Sequence, residues 1–331
     1  MVSNIKIITV RVVVALIAFT VLAPLIIAQR KIEPVENDSV NRNKKNRDEV
    51  RPVVIPITLH IRGLKNIQNE ELIPIGDMTI KEDGEERKIL SIRSIGNTPL
   101  ALAILIQDDV VSSIGNEIKG IGEFIRTLPK GSRVLIGYIK SGSLQVRQKF
   151  TTDLDKAVRA LRIPISSALM APYNPYVEII EGLKRYEALP SGRRAMLVIS
   201  DGLDSSNGPS SSAGSSLDLQ RAIREAQRRS VAVYSFYAPT VTATDTRNPM
   251  LVNDAQGSLQ RLSDESGGRA FFQGTGAPVS FDPFFRELGE SLTMQLAVTF
   301  LSTSQTKGFH RLDVSVGREG VKIDYPRGYT R

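Results

Sequence analysis

The chain has 331 residues, 41% hydrophobic and 24% charged, an ordinary globular composition with enough length for one large domain or two smaller ones. It has no cysteine, which removes thiol catalysis, thiolate-bound zinc and disulfides together. Formal net charge is +8; residues 1–50 supply three of these charges (eight Lys/Arg against five Asp/Glu) and the rest reads as thinly spread, which argues against a nucleic-acid partner.

Residues 12–28 are apolar apart from Thr20, follow Lys6 and Arg11, and end at Ala28 before Gln29-Arg30-Lys31. A basic start, an apolar run and a small residue before a polar stretch predict an export signal over 1–28, cleaved or kept as an anchor. The expected location is therefore extracytoplasmic: secreted, periplasmic or at the cell surface. Residues 29–50 are polar and charged, too poor in apolar side chains to build a core, and predict a disordered linker.

Val53, Ile55, Ile57, Leu59 and Ile61 alternate with other residues, which predicts a strand over 53–61 buried on its odd face. Strands over 78–81 and 88–95 flank Glu82-Asp83-Gly84, a hairpin signal because Gly tolerates positive φ. From Leu100 the pattern becomes alternating strands and helices. Strands are predicted over 100–106, 134–139, 144–150, 195–199, 231–237 and 269–272. Helices are predicted over 114–127, 153–161 behind Asp153, 175–186, 217–229, 255–265 before Gly267-Gly268, and 281–292. Lys140-Ser141-Gly142-Ser143 joins two of the strands as a hairpin. The basic run Arg221–Arg229 includes Glu225 and alternates with apolar positions at helical spacing, so it reads as a solvated helix face. After Leu292 the chain returns to strands over 295–301, 311–316 and 321–325 with no helix between them.

The expected fold class is α/β: a doubly wound, mostly parallel sheet with one antiparallel edge strand, plus a small β-sandwich-like unit built from both chain ends. The expected layout is an N-terminal β unit over 51–97, an α/β domain over 98–293, and strands over 294–331 that complete the β unit. In such a sheet ligands bind beyond the carboxyl ends of the strands. The predicted strand over 100–106 runs into Gln107-Asp108-Asp109-Val110-Val111-Ser112-Ser113, and the one over 195–199 runs into Ser200-Asp201-Gly202-Leu203-Asp204. Between them lies Ile165-Ser166-Ser167 through Asn174.

Several motifs in order resemble one family. Asp77 to Gly84 is similar to its "DFxVxEDG" hairpin, Pro129 to Val134 to its "LPPGDRV", Leu262 to Arg269 to its "LAxxTGGR", and Arg311 through Tyr329 to its closing "R-GYY" strand. The family is the von Willebrand factor A-related acidobacterial-type domain, and the resemblance spans roughly 51–331. It implies an exported adhesion-type binding module. It also implies an oxygen-lined metal site with Asp-x-Ser-x-Ser in the first loop, a Thr in the second and an Asp in the third. Here Gln107 stands at the first Asp position, Asp109 and Val111 at the Ser positions, and the second loop has no Thr; Asp201 matches the third. The metal site is therefore expected to be degenerate, with no cofactor. Were Mg²⁺ or Ca²⁺ held, Asp108, Asp109 and Asp201 would hold it. The expected ligand surface comprises Gln107, Asp108, Asp109, Ser112, Ser113, Ser166, Ser167, Asn174, Asp201 and Asp204, facing a protein or surface ligand. Membrane contact is expected only through an uncleaved N-terminal segment.

His60 and His310 are the only histidines and both fall in predicted β segments at the chain ends, so a Ser-His-Asp arrangement has no base to use. No Walker A loop, Gly-x-Ser-x-Gly elbow or His-Glu-x-x-His occurs. The expectation is a non-catalytic protein-binding module. The alternatives are a metal-dependent hydrolase using the Asp cluster and an envelope assembly or scaffold component.

Overall fold

A computed structural model describes residues 50–61, 77–93, 98–206, 216–240 and 249–331. The expected export signal, all but the last residue of the expected linker, and the Ser/Gly-rich stretch 207–215 lie outside the described residues. The strands are β1 (Arg51–Ile61), β2 (Met78–Glu82), β3 (Glu85–Arg87), β4 (Ile89–Arg93), β5 (Ala101–Gln107), β6 (Arg133–Lys140), β7 (Ser143–Thr151), β8 (Arg194–Ser200), β9 (Ala232–Tyr237), β10 (Ala270–Phe271), β11 (Gln295–Ser302), β12 (Phe309–Val316), β13 (Val321–Asp324) and β14 (Gly328–Thr330). The helices are α1 (Ile118–Arg126), α2 (Leu154–Arg159), α3 (Tyr176–Lys184), α4 (Leu217–Arg228), α5 (Pro249–Ser266) and α6 (Asp282–Thr293).

The central sheet has the order β7-β6-β5-β8-β9-β10, parallel except for β7. Counted from β5 along the chain, that is the doubly wound order 3-2-1-4-5-6 with its third strand reversed at the edge. The expected α/β class holds. β5 lies at the centre and is buried on both faces, which is why its sequence is one continuous apolar run. Leu102, Ile104 and Ile106 pack with Ile121 and Ile125 of α1 and Phe285 and Leu288 of α6. Ala103 and Leu105 face Ile179 and Leu183 of α3 and Leu219 and Ile223 of α4.

The two chain ends form a β-sandwich, as the fold class anticipates. One sheet is β13-β1-β11-β4 and the other β14-β12-β2-β3. Ile55, Ile57, Leu59, Ile80, Val298, Phe300 and Val314 fill the space between them. Asp83 and Gly84 both take positive φ (51° and 89°), as the Asp-Gly hairpin requires. Pro52 and Pro56 lie where β1 has only β11 beside it, because β13 pairs solely with Thr58–Ile61.

Four expectations need correction. The strand predicted over 88–95 does not close the hairpin with β2: an unpredicted short strand, β3, does so, while β4 crosses to β11, and Lys88 is the corner between them, its carbonyl accepting the Leu301 N–H at 2.9 Å. β1 is buried on both faces in its centre, because its even side meets the α/β part: the Thr58 hydroxyl lies 3.2 Å from the Tyr234 hydroxyl, and the Val54 carbonyl accepts from Ser230. The helix predicted over 114–127 starts as a 3₁₀ turn (Ser112–Glu117) before α1; no side chain caps either start. α5 begins at Pro249, earlier than predicted, with proline at the position where its missing N–H costs nothing.

Ser216 caps α4: its Oγ accepts the Leu219 N–H at 3.1 Å while its hydroxyl donates to Asp204. Ser216→Ala is expected to cost about 1–2 kcal/mol, read as a melting-temperature drop of about 2–8 °C. An unchanged melt would show that the cap carries nothing.

Candidate functional site

Gln107 ends β5 and Ser200 ends β8, adjacent parallel strands that leave in opposite directions at the switch point of the sheet. The Gln107 Oε1 accepts from the Ser200 hydroxyl, and its Nε2 donates to Asp109 Oδ1 at 2.9 Å. Ser200 Oγ accepts the Gly202 N–H at 3.0 Å. Gly202 (φ +71°) lets the chain turn beneath α5, since a Cβ there would come within 2.8 Å of the Ala255 carbonyl. Asp201 receives the Leu203 N–H on Oδ1 (3.1 Å) and the Thr240 hydroxyl on Oδ2 (2.8 Å). Burial, reinforced by the charge of Asp109, pushes the Asp201 carboxyl up to about 7. Burial also raises Asp109, against the Gln107 bond and with the charge of Asp108 adding to it.

Asp108 points the other way, into a clamp. Arg162 Nη1 and Nη2 donate to its two carboxylate oxygens, each at 2.6 Å, and the Ile165 N–H adds a bond of 3.0 Å. The Asp108 carbonyl accepts the Ser166 N–H at 2.8 Å. The Arg162 guanidinium lies 3.9 Å from the centre of the Tyr138 ring, and the Tyr138 hydroxyl bonds both the Arg162 carbonyl (2.6 Å) and its N–H (2.7 Å). The bonds to Asp108 raise the guanidinium's proton affinity further. The first loop is thereby tied to the start of a strap, residues 162–175, that crosses above the strand ends. Farther along, the Met170 carbonyl accepts from Ser141 in the β6–β7 turn and the Tyr173 carbonyl from Ser205 beyond β8.

The sequence-derived candidates separate into three groups. Gln107, Asp108, Asp109 and Asp201 are buried beneath the loops and do not form a surface, because each is enclosed by its own hydrogen-bond partners. Asn174 and Asp204 are loop ties. Asn174 Oδ1 accepts the Tyr176 N–H (3.0 Å) and its Nδ2 donates to Ser206 (2.7 Å), while Asp204 accepts from the Ser206 N–H (2.9 Å) and from Ser216. Ser112 and Ser113 are exposed, and Ser166 and Ser167 are half-buried. Sequence reasoning missed Arg162, Tyr138 and Thr240, which complete the floor. It also missed the rim: Leu169 (83% exposed), Tyr173 (76%), Ile163 (66%) and Leu217 (62%). For Ile163, Leu169 and Tyr173 the signal was a set of large apolar residues in a segment with no helical or strand period; Leu217 opens a predicted helix and carried no such signal.

The oxygen-ligand site that the resemblance implies does not fit these residues. At Gln107 a donor N–H points at Asp109, where a cation needs acceptors, and Asp108 is satisfied by Arg162. Among the described residues no group of three or more His, Asp or Glu side chains converges as metal ligands would. The two histidines sit in the sandwich, His60 against Asp324 (2.6 Å) and His310 against Asp83 (2.8 Å). A cavity of about 650 Å³ near the sandwich, lined by Glu265, Arg311, Asp324 and Arg327 among others, shares no residue with the strand-end loops.

Sheet order, antiparallel edge strand and loop placement define a von Willebrand A-like α/β domain carried on a β-sandwich. Among solved structures the chain is similar to an aerotolerance-related membrane protein from Bacteroides fragilis (11% identity, 59% of this chain and 98% of that one, TM-score 0.42). It is likewise similar to the conserved hypothetical protein BatB from Bacteroides thetaiotaomicron (14%, 59% and 98%, TM-score 0.42) and to the SpRpn10 VWA domain (14%, 48% and 94%, TM-score 0.32). No family model and no curated protein matches the chain.

Proposed function

We propose that this chain is an extracytoplasmic, non-catalytic protein-binding module that engages its partner through the apolar rim above the strand ends, without a metal ion. The observation that carries this reading is the pairing of a closed, internally bonded polar floor with exposed Ile163, Leu169, Tyr173 and Leu217. Large apolar side chains held out by ordered backbone bonds, and left uncovered among the described residues, are what a recognition surface needs. Non-catalysis is supported by the burial of Asp108 under a two-pronged Arg162 bond and by the use of both Asp204 oxygens as loop ties. Export rests on the sequence of residues 1–28; among the described residues no helix is long and apolar enough to cross a membrane.

The test is capture from envelope extract by the wild type and by the double variant Leu169→Asp, Tyr173→Asp. Specific partners are expected with the wild type, equally in Mg²⁺ and in chelator. The variant is expected to lose them by at least about tenfold with its melting temperature unchanged. Undiminished capture by the variant would refute the rim. Chelator-sensitive capture, or a melting temperature raised by Mg²⁺ or Ca²⁺, would refute metal independence. Turnover of generic phosphoesters abolished by Asp201→Ala would restore the hydrolase.

A further inference from the structure

The net charge is not spread thinly, contrary to the sequence reading. Residues 126–163, which run from the end of α1 through β6, β7 and α2, hold nine Lys/Arg against two Asp/Glu, a net of +7 in a chain of net +8. In the fold this segment lies at one edge of the central sheet: β7 is its outermost strand and α2 packs on β6 and β7. Four of the cations are paired, Arg126 with Asp155 (3.1 Å), Arg159 with Asp153 (3.9 Å), and Arg162 and Lys140 with Asp108. Lys130, Arg133, Arg147, Lys149 and Lys156 are exposed and have no ion pair among the described residues.

We propose that this basic edge docks the protein on an anionic membrane surface, a contact that goes beyond the partner binding assigned to the rim. Four features of this edge favour a lipid headgroup layer over other anions. Arg147 and Lys149 lie on the outer strand, Lys156 on α2, and Lys130 and Arg133 at the entry to β6, an exposed spread rather than a groove, which suits a broad planar array of phosphates. Addition of a peptide strand to β7 is blunted by two register shifts in its pairing with β6, which kink the edge. Ile163, 66% exposed, follows Arg162 and adds an apolar tip at the end of this basic segment, the combination of charge and apolar surface that seats peripheral proteins in the headgroup boundary. No exposed aromatic lies among these residues to stack bases, which disfavours single-stranded nucleic acid. The apolar run 12–28, expected to bring the chain to a membrane, would make this edge the second of two weak attachments. Leu169, Tyr173 and Leu217 stay free for the rim's partner.

The full chain is mixed with phosphatidylcholine vesicles, with or without roughly a quarter phosphatidylglycerol, and its lysines are acetylated. Both vesicle types offer the same hydrocarbon to residues 12–28, so apolar binding through that run is common to the two. Lys130, Lys149 and Lys156 are expected to react about threefold or more slowly on the anionic vesicles. Lys184 and Lys307 should not change, and about 0.5 M salt should erase the difference. Arg147→Glu, Lys149→Glu, on an exposed strand, is expected to reduce the anionic-vesicle preference by at least about tenfold while leaving the melting temperature and rim capture intact. Equal labelling on both vesicle types would overturn the proposal. So would protection by poly-L-glutamate without protection by phosphatidylglycerol, which would point to an acidic protein instead. Loss of rim capture in the Leu169/Tyr173 variant bears on the function proposed above and leaves this result untouched.

Discussion

Replacing Arg162 with alanine is expected to destabilise the protein by about 3–5 kcal/mol, a fall in melting temperature on the order of 10 °C. The reason is the position of Asp108, whose side chain is fully buried. Without the guanidinium its carboxylate keeps only the Ile165 N–H at 3.0 Å and a Lys140 ammonium 3.9 Å away. An ionised group left in that state costs far more than the pair contributed when intact. The converse substitution, Asp108→Ala, is expected to cost less, about 1–3 kcal/mol, because Arg162 is 23% exposed and can turn toward water while its ring contact to Tyr138 remains. The double variant should then lose less than the two singles summed. Urea unfolding of the three variants measures this. Faster amide exchange over 163–171 in Arg162→Ala would show that the clamp also holds the strap, since Ile165 and Ser166 both donate to Asp108. A cost for Arg162→Ala within about 0.5 kcal/mol of zero, the range of an ordinary surface change, would remove the clamp from the account.

Much of this fold is legible because its signals are local. The run ending at Gln107 has no alternation since both faces of β5 are covered, and Asp83-Gly84 announces its turn through the φ angles it must adopt. Asp153 likewise stands where a helix begins and bonds the expected N–H group. The corner at Lys88 is different in kind. Nothing between Glu85 and Arg93 marks a change of sheet; that change depends on where β11 lies, some two hundred residues later. The floor of the site shows the same division. Asp201 is readable as a strand-end carboxylate, but its partner Thr240 and the Arg162 that removes Asp108 from the surface arrive from distant loops. Expecting Asp108 and Asp109 on one ligand surface treated neighbours in sequence as neighbours in direction. The chain separates them, one toward Arg162 and one toward Gln107. The basic edge was available to a sliding count of charge and was hidden by averaging over the chain.

Asp201→Asn is expected to stabilise the protein at pH 8 by about 2–4 kcal/mol and to change little at pH 4. In the folded state this carboxyl is pushed up to about 7 by burial and by Asp109, against an unfolded value of about 3.9. Between those two values the folded state holds more protons than the unfolded one, so stability falls as pH rises through about 4 to 7, and the penalty is complete above the upper limit. The amide removes the charge and keeps an oxygen for the Leu203 N–H, while the Thr240 hydroxyl can accept as readily as donate. Glu178, buried in α3 and raised to about 6, acts with the same sign, so the slope in the variant should shrink without vanishing, and Glu178→Gln should flatten it further. Groups of opposite sign act at lower pH. Glu82 is buried yet held below its usual range by Ser302, Tyr329 and Arg87, and Asp324 is held down by His60. Their stabilisation is present above the unfolded carboxylate value and is lost as pH falls below it, outside the window that reports on Asp201. Chemical denaturation of wild type and variant from pH 4 to 8 measures the difference, and repeating it with Mg²⁺ gives the decisive contrast. A buried Asp109–Asp201 pair that relieves its repulsion with a proton gains from the amide whether or not the ion is present. A pair that relieves it with a cation would be stabilised by Mg²⁺ in the wild type and weakened by the substitution, and that outcome would return a metal to this site.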